Sequence, residues 1–241
     1  MAEHILFIVE GERTESQIVN NLLNYFIQKD SVVVKASYKT DIYNLYARLK
    51  EDEDLTVFNL VQERDTSLAG YKRSQFAQVY LFFDHDPHIQ QASDHKIKEL
   101  LEFFNEETEH GKLFVSYPMV EALKCCKPEG ITEQLLTLVY PICNGSSFKD
   151  YVHNYISKSH IDLTRYSAQD WNDIIILHSR KLNFMFNNFD NLQTELYEQS
   201  KILEVQIEKF VTVNQSVSVL GGFPIMLIDY YGLEWLEKLS V

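Results

Sequence analysis

Three acidic residues, Glu10, Asp84 and Asp86, carry the chemistry this chain offers. Glu10 follows the apolar, β-favouring run His4–Val9 and precedes Gly11. Such a run reads as a buried strand. A helix is expected just beyond it, because Thr14 and Gln17 stand at capping-box spacing. Glu10 is thereby expected at the carboxyl end of a strand, the side of an open α/β sheet where ligands bind. A second apolar run, Gln78–Phe83, ends in Asp84-His85-Asp86. Side chains two apart on a strand share a face, so Asp84 and Asp86 are expected on one side and His85 on the other. If the runs form neighbouring parallel strands, the carboxylates converge on one crevice. Carboxylates that close resist joint ionisation unless a cation sits among them, and an all-oxygen set suits Mg²⁺ or Mn²⁺.

The elements that must position these residues follow from the apolar spacing. Ser16–Ile27 carries Ile18, Val19, Leu22, Leu23 and Phe26 on one helix face. Ser31–Ser37 predicts a strand and Asp41–Lys50 a short helix, while Glu51–Ala77 resists assignment. Ser93 is placed to cap a helix through Phe104, with Gly111 as its stop. Lys112–Tyr117 predicts a strand that Pro118 ends, and Met119–Cys126 a helix opening on Glu121. The alternation predicts an α/β fold with a doubly wound, mainly parallel sheet flanked by helices. From Ile131 the character changes: Ile131–Val139, Phe148–Ser157, Ala168–Phe186 and Asn191–Phe210 all carry helical spacing. The expected organisation is a catalytic α/β domain over 1–127 and a mostly helical extension over 128–241.

Composition narrows the function classes. A hydrophobic content of 45% supports a full core, and the net charge is −13. Autonomous nucleic-acid binders are usually basic, so a nucleic-acid substrate here calls for bridging metal ions or a basic partner. No apolar run reaches the ~20 residues that span a bilayer, and no signal-peptide pattern opens the chain. The three cysteines, two of them adjacent, make a poor disulfide framework. Together these features predict a reduced, cytoplasmic protein without a membrane partner. Cys125, Cys126 and Cys143 lack metal-binding spacing with histidine and are expected to be structural.

A strand ending in Glu10-Gly11 and, about seventy residues later, a strand ending in Asp84-His85-Asp86 resemble the TOPRIM domain. That Rossmann-like domain is shared by topoisomerases, bacterial primases, small ribosomal-RNA maturases and the OLD- and RloB-like nucleases. The form Glu10-Gly11-Glu12-Arg13-Thr14-Glu15 is most similar to the EGxxTE variant of RloB-like proteins. Tyr117-Pro118-Met119-Val120-Glu121 resembles their NPxxE stretch, with Tyr117 in place of the asparagine. The resemblance covers roughly Ala2–Lys124. It implies Glu10 as metal ligand or general base, Asp84 and Asp86 as metal ligands, and Gly11 as the tight turn. It further implies Glu15 and Glu121 as secondary acidic ligands, and Lys124 or Lys127 in the place of the catalytic lysine of OLD-type nucleases.

What the resemblance implies is Mg²⁺- or Mn²⁺-dependent cleavage of DNA or RNA phosphodiesters, the two-metal type of hydrolysis. RloB-like and related proteins often act in bacterial anti-phage systems beside an ABC- or SMC-like ATPase, and this chain has no Walker A pattern of its own. A homodimer stays open. The competing readings are an RNA-processing maturase and a non-catalytic interaction subunit. Residue by residue, an ordinary strand-to-helix turn also accounts for Glu10-Gly11, with Glu12 and Glu15 complementing the helix dipole. A haloacid-dehalogenase phosphatase would leave the Glu10-Gly11 strand unexplained and has Thr or Val where this chain has His88.

Overall fold

The computed structural model describes residues 3–27, 31–85, 94–126, 132–142, 147–155 and 162–239. The chain divides into two compact units. One comprises Met1–Asp84 and His88–Phe114, the other His85–Pro87 and Val115–Val241. The division at Phe114–Val115 precedes the composition change expected near Lys127.

The first unit is built on a five-stranded, mainly parallel sheet. In chain order its elements are β1 (Glu3–Val9), α1 (Thr14–Leu22), β2 (Ser31–Ser37), α2 (Ile42–Glu51), α3 (Val57–Gln62), β3 (Phe76–Asp84), α4 (Asp94–Phe103), β4 (Asn105–Glu106) and β5 (Gly111–Ser116), whose last two residues belong to the second unit. The strand order is β2-β1-β3-β5-β4, with β1 parallel to both β2 and β3. β1 lies inside the sheet, between β2 and β3, and is apolar on both faces. Ile5 to Val9 are each at most 2% exposed, and each such side chain contributes roughly 1.5–3 kcal/mol of burial. Phe7 meets Tyr80 and Phe82 edge-on at ring-centroid distances of 5.8 and 5.3 Å.

Chain direction around β1 creates a switch point. From β1 the chain passes to β2 on one side, crosses to β3 on the other, and continues outward from there. The crevice between the carboxyl ends of β1 and β3 is where open α/β sheets take ligands.

Several local expectations change. Thr14 does not cap α1: Arg13 occupies the N-cap without a side-chain bond, and Gln17 N–H donates to the Arg13 carbonyl at 3.0 Å. Asp41 does cap α2, accepting the Asn44 N–H at 2.9 Å. The unassigned stretch holds α3, opened by a Thr56–Asn59 capping box, and two 3₁₀ turns. Gly111 stops no helix. α4 ends at Phe103, β4 pairs antiparallel with β5, and Gly111 opens β5 with φ +105°. A Cβ there would strike Leu81 Cδ1 and sit 3.1 Å from Val79 Cγ1. Gly111→Ala should therefore lower stability by about 2 kcal/mol or more, combining left-handed strain with overpacking. Urea denaturation measures it; an unchanged midpoint would reject the close approach.

The second unit is largely helical. It contains a 3₁₀ segment (Val120–Cys125), α5 (Thr132–Thr137), β6 (Val139–Pro141), α6 (Phe148–Tyr155), α7 (Ala168–Asn187), α8 (Gln199–Gln206), α9 (Thr212–Asn214), β7 (Ser216–Ser218), α10 (Gly222–Tyr231) and α11 (Leu233–Leu239). Met119–Cys126 was expected as an α-helix and winds more tightly. β6 and β7 form an antiparallel pair. α7 runs the full predicted length from a Ser167–Asp170 capping box and ends at Asn188 in the left-handed region, φ 61°. The helix expected over Asn191–Phe210 is shorter. Residues up to Glu198 form a loop, α8 follows, and Ile207–Val211 continue as a π-helix. Among the described residues no helix is long and apolar enough to cross a membrane.

Candidate functional site

The β1–β3 switch point brings Glu10 and Asp84 together. Val9 pairs with Phe82 in the parallel register, and the Glu10 N–H extends the ladder to the Phe82 carbonyl at 3.2 Å. Glu10 thus stands beside the last residues of β3. Its Oε2 accepts the Asp84 backbone N–H at 3.2 Å. Both acids are half-buried, open enough to meet a hydrated ion or a substrate oxygen. Asp86 and His88 lie outside the described residues, as does Lys127. His85 is buried, as alternation predicts, with its ring 5.0 Å from that of Tyr117. Its N–H donates to the Ser116 carbonyl at 2.9 Å.

Glu15 faces the same turn with a specific task. It is buried, and its Oε1 accepts the Gly11 N–H at 3.0 Å. From the first turn of α1 it reaches back and satisfies a donor that the strand-to-helix turn leaves open. This accounts for Gly11 without a positive φ. A Cβ on Gly11 would sit 2.8 and 2.9 Å from the two Glu15 carboxylate oxygens. Gly11→Ala should cost about 1–3 kcal/mol through loss of that charge-assisted bond. A double-mutant cycle with Glu15→Ala checks it: strict additivity would disprove the coupling.

Glu121 and Lys124 belong to the second unit, on the 3₁₀ segment. Lys124 is half-buried. The Glu121 side chain is 7% exposed, with Lys149 Nζ of α6 4.0 Å from its Oε1. Its Oε2 has no hydrogen-bond partner among the described residues.

The second unit also buries a titratable cluster that spacing gave no sign of. His178 Nδ1 lies 2.8 Å from the Ile174 carbonyl, and its Nε2 accepts the Gly221 N–H at 3.0 Å. These partners fix the Nδ1–H tautomer, and burial pulls its pKa down to about 4. Cys126 Sγ is 3.8 Å from the same Nδ1, which already carries a proton, so His178 is no base for this thiol. Burial pushes the Cys125 thiol up to about 12 and Cys126 well above its usual value. Unreactive thiols in this setting fit the structural role expected for them. Cys143 lies outside the described residues.

For a divalent cation, Glu10 and Asp84 supply hard oxygen donors at adjacent strand ends, one oxygen steadied by a backbone N–H. That suits Mg²⁺, which is commonly held by one or two carboxylates, waters and substrate phosphates. Among the described residues no group of at least three His, Cys, Asp or Glu side chains is arranged to hold a metal ion; Asp86, the third expected ligand, is not among those residues. The residues missed by sequence reading are Lys39, Arg64 and Asp65, all beyond the carboxyl end of β2. Asp65 Oδ2 accepts the Ser37 N–H at 2.6 Å, holding the end of β2. No family model, curated protein or solved structure matches this chain.

Proposed function

We propose that the protein is a metal-dependent nuclease with a TOPRIM-like acidic site, hydrolysing phosphodiesters of DNA or RNA. The observation that carries the reading is the pairing of Glu10 with Asp84 at the β1–β3 switch point, where the Glu10 carboxylate accepts the Asp84 N–H. Glu10, Asp84 and, by its place two residues on, Asp86 are the residues to hold Mg²⁺ or Mn²⁺. The bound ion would supply charge stabilisation at the phosphate and a lowered pKa for an attacking water. In the net reaction a water oxygen adds to phosphorus, the ester P–O bond breaks, and the departing oxygen gains a proton. The Asp84 N–H holds one oxygen of the Glu10 carboxylate and so orients Glu10, the proposed metal ligand or general base, at the end of β1. Glu15 keeps the Gly11 turn shut and so fixes the direction in which Glu10 leaves the strand.

The roles proposed for Glu121, a secondary acid, and Lys124, in the place of the catalytic lysine, come from the resemblance alone; both residues belong to the second unit. The buried Glu121 Oε2 supports a role for this carboxylate beyond packing, because an unpartnered buried oxygen is costly. The biological setting proposed is that of an effector in an anti-phage system working with an ATPase partner. Such a partner would bring nucleic acid to a chain of net charge −13. The test is cleavage of DNA and of total RNA by purified protein with Mg²⁺ or Mn²⁺, beside Glu10→Gln and Asp84→Asn. Cleavage by the wild type and its loss in both variants is the expected result. Cleavage surviving both substitutions would overturn the assignment.

A further inference from the structure

The turn leaving β2 holds a residue in a conformation its side chain does not favour. Lys39 has φ +64°, in the left-handed region that glycine and asparagine enter more easily. Strain of this kind persists where the surroundings over-determine it, and it gathers at ligand sites. Here the surroundings are the candidate site itself. Lys39 N–H donates to the Glu10 carbonyl at 3.1 Å, Tyr38 N–H to the Val9 carbonyl at 2.9 Å, and Ser37 Oγ to the Glu10 carbonyl at 3.2 Å. The backbone that carries Glu10 and the backbone that strains Lys39 are therefore hydrogen-bonded to each other.

A second cation is pre-aimed at the same end of β2. The Arg64 guanidinium lies over the Tyr38 ring, 4.5 Å from its centroid, and reaches Asn44 Oδ1 at 3.4 Å. Tyr38 is fully buried, and its hydroxyl donates to that same Asn44 oxygen at 3.3 Å. Ring and amide fix the plane of the guanidinium and engage little of its five-donor fork, the group suited to phosphate. The Lys39 ammonium pairs with Glu12 at 2.7 Å, with side chains 45% and 64% exposed. An exposed pair of this kind adds little stability and exchanges readily for a phosphate.

We infer that Lys39 and Arg64 bind phosphates of a nucleic-acid backbone on the β2 side of Glu10, guiding the scissile ester to the Glu10–Asp84 carboxylates. The inference rests on the nuclease reading and adds its substrate contacts. It also gives a chain of net charge −13 a means to hold a polyanion: the cations are few, but they stand on the β2 side of Glu10.

The experiment is fluorescence anisotropy with labelled oligonucleotides of about 20 residues. Single-stranded DNA, duplex DNA and RNA are each tested, with Ca²⁺ replacing Mg²⁺ and across a salt series. Lys39→Asn removes the charge while suiting the left-handed backbone; Arg64→Gln removes the fork. Each should weaken binding and make the plot of log Kd against log salt shallower by roughly 0.7–0.9. Lys39→Asn should keep or raise Tm. Unchanged affinity and slope in both variants, with a wild type that binds and cleaves, would overturn this inference alone. Weaker binding at an unchanged slope would mark a structural effect and overturn it too. A slope loss in a protein that binds without cleaving supports these contacts and counts against the nuclease reading. A wild type that neither binds nor cleaves any probe overturns both.

Discussion

Glu10→Gln should lower metal-dependent cleavage by at least about 100-fold, a loss that removing even an outer-shell partner of a metal can reach, with no loss of folded protein. The two parts of this expectation come from one hydrogen bond. Glu10 Oε2 accepts the Asp84 N–H at 3.2 Å, and the amide oxygen of a glutamine can accept it equally. The strand ends stay joined and the fold is spared. What disappears is the negative charge, and a neutral amide is a poor ligand for a hard dication. Asp84→Asn should behave alike, since its backbone N–H is untouched. Glu15→Gln is the contrasting case. Its carboxylate is turned to the Gly11 N–H at 3.0 Å, a task glutamine retains, so cleavage should fall far less. Activity lost equally in Glu15→Gln and Glu10→Gln would make Glu15 a ligand rather than a positioning residue. Mn²⁺ titration by calorimetry separates the cases independently of turnover: binding should weaken in Glu10→Gln and hold in Glu15→Gln.

The parts of the site that were legible in the sequence are those set by strand period and strand ends. The run from Ile5 to Val9 is apolar at every position, so it reads as a buried strand, with Glu10 leaving its carboxyl end. The same logic placed Asp84 at the end of β3 and turned His85 into the interior. What spacing could not give was the partner of each acid. Glu15 in a first helical turn satisfies a dipole argument without any contact, whereas its carboxylate in fact closes on Gly11. Lys39 and Arg64 were missed because they are far apart in sequence, and Arg64 is held at the turn after β2 by the Tyr38 ring and Asn44. The signal available was position alone, Lys39 coming just after a predicted strand.

The helical half shows the limit of a single-period reading. Leu192 and Leu196 continue the spacing of Leu203, Ile207 and Phe210, yet the chain from 191 to 198 is a loop. Side chains of α7 fasten it. Asn183 Nδ2 reaches Asn191 Oδ1 at 2.6 Å and its carbonyl at 3.2 Å, and Ser179 Oγ accepts the Gln193 N–H at 3.0 Å. Backbone groups tied to a neighbouring element in this way are withdrawn from helix formation. Apolar spacing reports which side chains seek the interior and is silent on which backbone groups are already engaged.

Stability of the wild type should rise by roughly 2 kcal/mol between pH 7 and pH 9 through a single buried group, at ~1.4 kcal/mol per unit of pKa shift. That group is Lys181, in the middle of α7 and fully buried. Its Nζ donates to the Leu135 carbonyl at 2.6 Å and the Leu138 carbonyl at 2.9 Å, closing the end of α5. Burial pulls its pKa down from 10.5 to about 7, against a smaller opposing effect of Cys126 and Cys125. Between about pH 7 and 10.5 the unfolded chain therefore binds a proton that the folded chain does not, and stability rises with pH across that window. Below pH 7 both states hold the proton and the slope from this group ends. His178, with a folded pKa near 4, gives a slope of the same sign below its ordinary value of 6.5. The thiols act oppositely above pH 9, because Cys125, pushed up to about 12, keeps its proton only when folded. The thiols and His178 are common to the wild type and a Lys181 variant, so the difference between the two proteins isolates the lysine. Lys181→Met should flatten the rise from pH 7 to 9: the variant should be the more stable protein at pH 6, where the wild type buries an ammonium. At pH 9 it should lose that advantage, since the two carbonyls then lack a donor worth about 1 kcal/mol each. Urea denaturation of both proteins from pH 6 to 9 measures the crossover. Parallel curves would mean that Lys181 stays charged in the fold, with its two carbonyls offsetting the whole cost of burial.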